Sequence, residues 1–237
     1  MSNRILITGV GQGFGYELAR QYAEQKITVF GLVRNRQDAE RLQSELSDTF
    51  HPIIGDVSDD SVIATIDQEL SRHSNSLSML INNAGISGTA GPLLDEISTD
   101  EVLKLVNVHC CGAIRCVQAS LKFLEKSNDA TIVNINSRVG SIHNVSSGAL
   151  DDIPLSYGIR IAKAAQNMFA AGMYRELKDK GIVVYSVHPG RIKTRMGSID
   201  AHMTAAEAAR RFIYWLPEIK KKRRFGYFEA GASEINF

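Results

Sequence analysis

The chain has 237 residues, 44% hydrophobic and 22% charged, with a formal net charge of +1. That length supports one domain, residues 1–237, with a sizeable core, and the near-neutral balance argues against nucleic acid or a membrane surface as the main partner. Its apolar runs fall well short of the roughly 18 residues of a membrane span. The first strand begins almost at Met1, leaving no room for a signal peptide, so a cytoplasmic location is expected.

The apolar run ILI at 5–7 predicts a short buried strand, followed by TGVGQGFG at 8–15 and a helix that starts near Tyr16. Strand, glycine-rich turn and helix N-terminus make half of a βαβ unit. Glycines suit the turn because one lets the backbone adopt φ > 0, one lets the main chain approach a pyrophosphate, and one lets helix pack close to strand. The free N–H groups and positive dipole end of the helix then face the phosphates. Tight turns also use glycine without binding anything, so the remaining elements must decide.

Residues 27–33 (ITVFGLV) read as a second buried strand ending in Arg34-Asn35-Arg36, and a polar helix is expected over 37–46. A third strand, 50–54, runs into Gly55-Asp56-Val57. The helix after it, 59–72, has Asp59 or Asp60 as N-cap. The fourth strand, 78–81, ends in Asn82-Asn83-Ala84-Gly85. Ser98 and Glu101 have capping-box spacing at the start of a helix that continues towards Leu124. Within it, Cys110, Cys111 and Cys116 fit no zinc or redox spacing and read as buried, reduced thiols, so no metal is expected. A fifth strand spans 131–135, the polar, proline-bounded segment 142–154 reads as a loop, and a helix covers 157–178. The sixth strand, 182–187, ends in His188-Pro189-Gly190; a helix over 204–215 and a short strand near Tyr227 follow.

Regular alternation of strands and helices predicts an α/β fold, a single Rossmann-type doubly wound parallel sheet flanked by helices. Ligands of such sheets sit at the carboxyl ends of the strands. The polar punctuation at 8–15, 34–36, 56–57, 82–85, 137–138 and 188–190 all falls there.

These residues resemble the short-chain dehydrogenase/reductase family. The pieces are TGVGQGFG, Asp56-Val57, NNAG at 82–85, Ser137 after strand five, Lys163 in AKAA, and HPG with RIKT at 188–194. GSI at 140–142 and KAAQNM at 163–168 are similar to the C-factor and sniffer-type carbonyl reductases within it. The resemblance implies NAD(P) across the strand ends. Gly9, Gly11, Gln12, Gly13, Phe14 and Gly15 would hold it in the turn. Asp56 and Val57 would flank the adenine, and Asn82, Asn83, Ala84 and Gly85 would line the adenosine side. Lys163 would meet the nicotinamide ribose, and Pro189, Gly190, Ile192 and Thr194 the nicotinamide. A small carbonyl or alcohol substrate is implied too, as is a homodimer or homotetramer with helices near 99–126 and 157–178 as the dimer face. An acid after strand two holds the ribose of NAD, whereas an arginine pairs with a 2′-phosphate. Arg34, with no acid before Asp38, favours NADP(H); the alternative is a solvated strand-end arginine.

Two positions depart from the family. Its chemistry uses Tyr-x-x-x-Lys on one helix face, with the phenol as general acid or base and a serine orienting the carbonyl. Ser137 and Lys163 are present, but four residues before Lys163 stands Ile159, which has no proton to give. Tyr157 lies six residues before the lysine, about 120° away around an ideal helix, and reaches the site only if the helix starts late or the loop folds inward. Eleven residues on from Ser98, the family's asparagine position holds His109, while Asn107 lies on the wrong face. His109 is a candidate acid because histidine titrates near neutrality, or else a satisfied polar residue in a helix. Arg138, Arg160, Arg191, Lys193 and Arg195 near the mouth would favour an anionic substrate group, or are ordinary surface cations. KKKRR at 220–224 reads as a solvated loop. Two functions follow: an NADP(H)-dependent oxidoreductase whose proton donor has moved to Tyr157 or His109, or a non-catalytic dinucleotide-binding sensor or assembly subunit.

Overall fold

Strand β1 (Arg4–Thr8) is buried at every position from Ile5 onward, so both of its faces need cover. Parallel pairing through helical crossovers supplies it. The computed structural model describes residues 4–46, 48–89, 91, 94–151, 153, 157–193 and 201–237. To β1 are added β2 (Thr28–Val33), β3 (Phe50–Ile54), β4 (Met79–Asn82), β5 (Thr131–Ile135), β6 (Val183–His188) and β7 (Gly226–Glu229). All pair in parallel, in the order β3-β2-β1-β4-β5-β6-β7. Ile5 is in register with Val29 of β2 on one side and Met79 of β4 on the other. The winding direction reverses between β1 and β4, and that is where a doubly wound sheet opens its ligand crevice.

The helices are α1 (Gly13–Glu24), α2 (Arg36–Glu45), α3 (Ser61–His73), α4 (Thr99–Val106), α5 (Gly112–Leu124), α6 (Ile142–Ser146), α7 (Tyr157–Leu177) and α8 (Ala205–Lys220). One face of the sheet packs Ile7, Ile81, Val133 and Tyr185 against α1 and α8 through Leu18, Phe212 and Leu216. The other packs Leu6, Leu80, Ile132 and Val184 against α3, α5 and α7 through Ile66, Phe123 and Ala170. Each such fully buried large side chain contributes about 1.5–3 kcal/mol relative to exposure. Among the described residues no helix is long and apolar enough to cross a membrane.

Four local expectations change. The helix expected to run unbroken towards Leu124 is interrupted by a π-helical turn, Asn107–Cys111, between α4 and α5. At Ser98 the capping box is half-formed: Ser98 Oγ accepts from Glu101 N–H, but the Glu101 carboxylate turns instead to Thr89 N–H at 2.5 Å. The reciprocal box lies at α8, between Thr204 and Glu207. The segment expected as a loop contains α6, whose N-cap Ser141 accepts from Asn144 N–H and donates to Asn236 O at 2.6 Å. Five residues are too few for periodicity to announce a helix. Finally, α8 continues to Lys220 with Pro217 inside it. The basic run that follows is paired: Lys220 and Arg223 with Asp129, Lys221 with Glu218, and Arg224 with Glu234.

Candidate active site

The glycine-rich turn leaves β1 through Gly9, whose φ is +72°. A Cβ there would stand 2.8 Å from Ala84 Cα, so only glycine allows the turns after β1 and β4 to meet. Once in contact they are stitched together. Thr8 Oγ1 accepts from the N–H groups of both Asn83 and Ala84 at 3.0 Å, and Asn83 Nδ2 donates to the carbonyls of Thr8 and Gly9. Beyond the turn, α1 starts at Gly13 with Gln12 as N-cap. Gln12 makes no side-chain capping bond, and the first turn carries no acid. The first N–H groups of α1 and its dipole are thus left to an anion. A dinucleotide pyrophosphate fits this cradle. Phe14 anchors the helix start, meeting Phe212 edge-on at 5.9 Å.

At the adenosine end, Arg34 is exposed and makes no hydrogen bond or ion pair among the described residues. Asp38, distant in the linear reading, is brought against the turn: its Oδ2 lies 3.2 Å from where a Gly11 Cβ would stand. It is not a bare acid. Asn35 accepts from Asp38 N–H and donates to Oδ2, while Arg41 pairs with Asp38 at 3.1 Å and donates to Gly11 O at 2.6 Å. Arg41 carries no signal in the sequence beyond being one more charge on a polar helix. Asp56 accepts from the N–H and hydroxyl of Ser58, and Val57 is buried against Gly112.

At the ends of β5 and β6 the main chain of Ser137 is held from both sides. Its N–H donates to Asn136 Oδ1 at 2.7 Å, and its carbonyl accepts from the Tyr227 hydroxyl. Its own Oγ makes no hydrogen bond among the described residues and is free for a ligand. The Asn136 amide donates to Lys163 O and Asn167 Oδ1, which fixes α7 against this turn. Lys163 is buried, and its Nζ donates to Ile135 O at 2.7 Å and Gln166 Oε1 at 3.2 Å. Burial pulls its pKa down to about 7. Gln166 escaped the sequence reading because its position is simply an inward one on α7.

His109 sits in the π turn, buried, with Nε2 2.8 Å from Ile86 O. Ile86 N also lies 3.3 Å from Nε2, but the shorter contact is to a carbonyl oxygen that can only accept, so the proton belongs on Nε2; Nδ1 is left buried without a partner among the described residues. The ring lies against Gly85, where a Cβ would be 2.5 Å from Cε1. Burial, and secondarily Lys163, push its pKa down to about 3. A neutral imidazole holds the loop after β4 but has no proton to spare at neutral pH. Asn107 faces away, donating to Ser58 O and accepting from Arg115. Among the described residues no cluster of three or more His, Cys, Asp or Glu stands ready for a metal.

The model of the short chain dehydrogenases matches residues 3–204. This chain belongs to the short-chain dehydrogenase family. It is 28% identical to the C-signal protein of Myxococcus xanthus, over 66% of this chain and 90% of that one. It is 27% identical to a 3-oxoacyl-[acyl-carrier-protein] reductase of Haemophilus influenzae, over 82% of this chain and 76% of the other. In fold it is similar to an NADPH-bound carbonyl reductase from chicken fatty liver, with TM-score 0.89, 24% identity and 99% of each chain covered. The carbonyl reductase Sniffer of D. melanogaster gives TM-score 0.85 at 23% identity with all of both chains covered.

Tyr157 opens α7 and is 37% exposed, on the same outward stripe as Ile161 (46%) and Met168 (75%). The alternative in which it turns inward is not met: α7 begins at Tyr157 itself, and ideal helical spacing keeps it off the Lys163 face. The expected cationic mouth is met in part. His188 is buried, and burial followed by Arg138, Arg211, Arg191 and Lys163 pushes its pKa down to about 3, so several cations converge on the end of β6. Arg160 instead lines a cavity of about 250 Å³ with Ile142, Val145 and Ile161. Gly190 has φ +100°, and Ile192 bridges to Met203. Thr194 and Arg195 lie outside the described residues.

Proposed function

We propose that this chain is an NADP(H)-dependent reductase of small carbonyl compounds. The observation that carries the reading is the locked, uncapped cradle of residues 8–15 against Asn83 and Ala84, with Ser137 and Lys163 at neighbouring strand ends. The α1 N-terminus and the glycine turn hold the pyrophosphate, Arg34 the 2′-phosphate, Asp56 and Val57 the adenine, and Gly85 the adenosine side. The remaining Lys163 N–H is left for the reacting oxygen, and Pro189, Gly190, Ile192 and Thr194 are assigned to the nicotinamide. When bound, that ring supplies a hydride. The free Ser137 Oγ donates a hydrogen bond to the carbonyl oxygen, and neutral His109 keeps the loop at Ile86 in place. The NADPH-bound state of a similar carbonyl reductase supports the cofactor assignment. Arg138 and Arg191 favour substrates with an anionic group, and the exposed Leu103, Ile161 and Met168 suit a homodimer face on α4 and α7.

The second reading is a dinucleotide-binding protein without turnover, favoured by Ile159 and by the outward Tyr157. Fluorescence titration with NADPH and NADH, followed by assay of quinones and dicarbonyls, separates the two. NADPH binding with turnover supports the reductase; tight binding with no turnover of any carbonyl supports the second reading. No binding of either nucleotide defeats both.

A further inference from the structure

We infer that Lys163, positioned by the buried amide of Gln166, is the proton donor of this site. The inference rests on the reductase reading above and deepens it. A carbonyl that receives a hydride must also receive a proton, and Ile159 has none. The other titratable groups around the end of β5 are unsuited. His109 is neutral and spends its N–H on Ile86 O. His188 is buried and likewise held neutral. Tyr227 spends its hydroxyl on Ser137 O, and burial raises its pKa, so it keeps its proton. Arg138 does not release a proton in the working range.

Lys163 differs on each count. An ammonium has three N–H donors. Two are taken by Ile135 O and Gln166 Oε1, and the third has no acceptor among the described residues. Both acceptors are neutral, and no carboxylate pairs with Nζ among the described residues. The charged form is therefore held by two dipoles against the cost of burial, which brings its pKa to about 7. A donor whose pKa lies near the working pH is matched to proton transfer. Hydride from a bound dihydronicotinamide adds to the carbonyl carbon, and the carbonyl oxygen takes a proton from Nζ. An alcohol, an oxidised nicotinamide and a neutral amine result, and the amine is reprotonated from water before the next turnover.

Gln166 sets how strongly the ammonium is held. Gln166→Leu removes an acceptor and should lower the Lys163 pKa by a unit or more; Gln166→Glu supplies a charged acceptor and should raise it by as much. Lysine labelled with ¹³C at Cε, with the resonance assigned by Lys163→Arg, reads this pKa directly in the cofactor-free protein. The expected midpoint is near 7 in the wild type, moving in those two directions. In single-turnover reduction with saturating NADPH, the rate should fall tenfold per pH unit above the same midpoint, and the fall should move with it in each variant. Lys163→Arg should lose more than 100-fold in rate.

A wild-type midpoint above 9 overturns the assignment. So does a rate profile that ignores the Gln166 variants while NADPH still binds, and then the reductase reading survives alone. Absence of NADPH binding removes the reductase reading, and the proton assignment with it. Two opposite substitutions at Gln166 guard against one that fails to fold.

Discussion

Replacing His109 by Asn should make the protein more resistant to acid. In the native state its pKa is pushed down to about 3, chiefly by burial; in the unfolded chain it returns to about 6.5. Between those values the unfolded state binds more protons, so stability is lost as pH falls, at about 1.36 kcal/mol per unit. From pH 6.5 to 4.5 this residue alone removes about 2.3 kcal/mol from a total typically of about 5–15 kcal/mol. An asparagine amide can still donate to Ile86 O but does not titrate, and its smaller volume should cost about 1 kcal/mol of packing at any pH. The variant should therefore be about 1 kcal/mol less stable than wild type at pH 7 and about 1–2 kcal/mol more stable at pH 4.5. Urea unfolding of the ligand-free protein, followed by the single tryptophan Trp215 at half-unit intervals of pH, measures both. His188 has a similarly lowered pKa and keeps part of the acid sensitivity in the variant. Parallel pH slopes for the two proteins would refute the reasoning. They would mean that His109 is already protonated in the native state, and so available as an acid after all.

Arg34→Ala should weaken NADPH binding at least about tenfold and leave NADH nearly unchanged, since one charge-assisted phosphate bond contributes about 1.5–3 kcal/mol. Equal losses for both nucleotides in a fluorescence titration would place the 2′-phosphate elsewhere. Ile159→Tyr should raise NADPH-dependent reduction of a quinone or dicarbonyl by about tenfold or more, within the range of a positioned general acid. An unchanged rate in a variant that still binds NADPH would mean the register of α7 against Ser137 is not the one described. Gly9→Ala, at φ +72° and 2.8 Å from Ala84 Cα, should cost about 2–4 kcal/mol in chemical unfolding and abolish nucleotide binding. A loss below about 1 kcal/mol would show that the two turns can separate cheaply.

What could be read in advance follows from the range over which each feature is encoded. Parallel strands buried on both faces announce themselves as short apolar runs, and β1 through β6 were legible within a residue or so. The Gly9 turn is local as well, as is the 120° that keeps Tyr157 off the lysine face. The π turn at 107–111 left no trace, because it changes which carbonyl each N–H meets and not which residues are apolar. Asp38 gave no sign of its contact with Gly11, which depends on where α2 is set down. His109 and Gln166 carry the sharper lesson. Periodicity marks both as inward, and burial alone disfavours a charge at either place. Whether a neighbouring charge survives there depends on single acceptors far away in the chain: Ile86 O lies 23 positions from His109, and Ile135 O lies 28 from Lys163. The imidazole has one such carbonyl, whose dipole favours the charged form but does not offset burial, and it stays neutral. The ammonium has two dipoles to share and an N–H left over, so of two inward titratable residues only the lysine keeps a proton it can give.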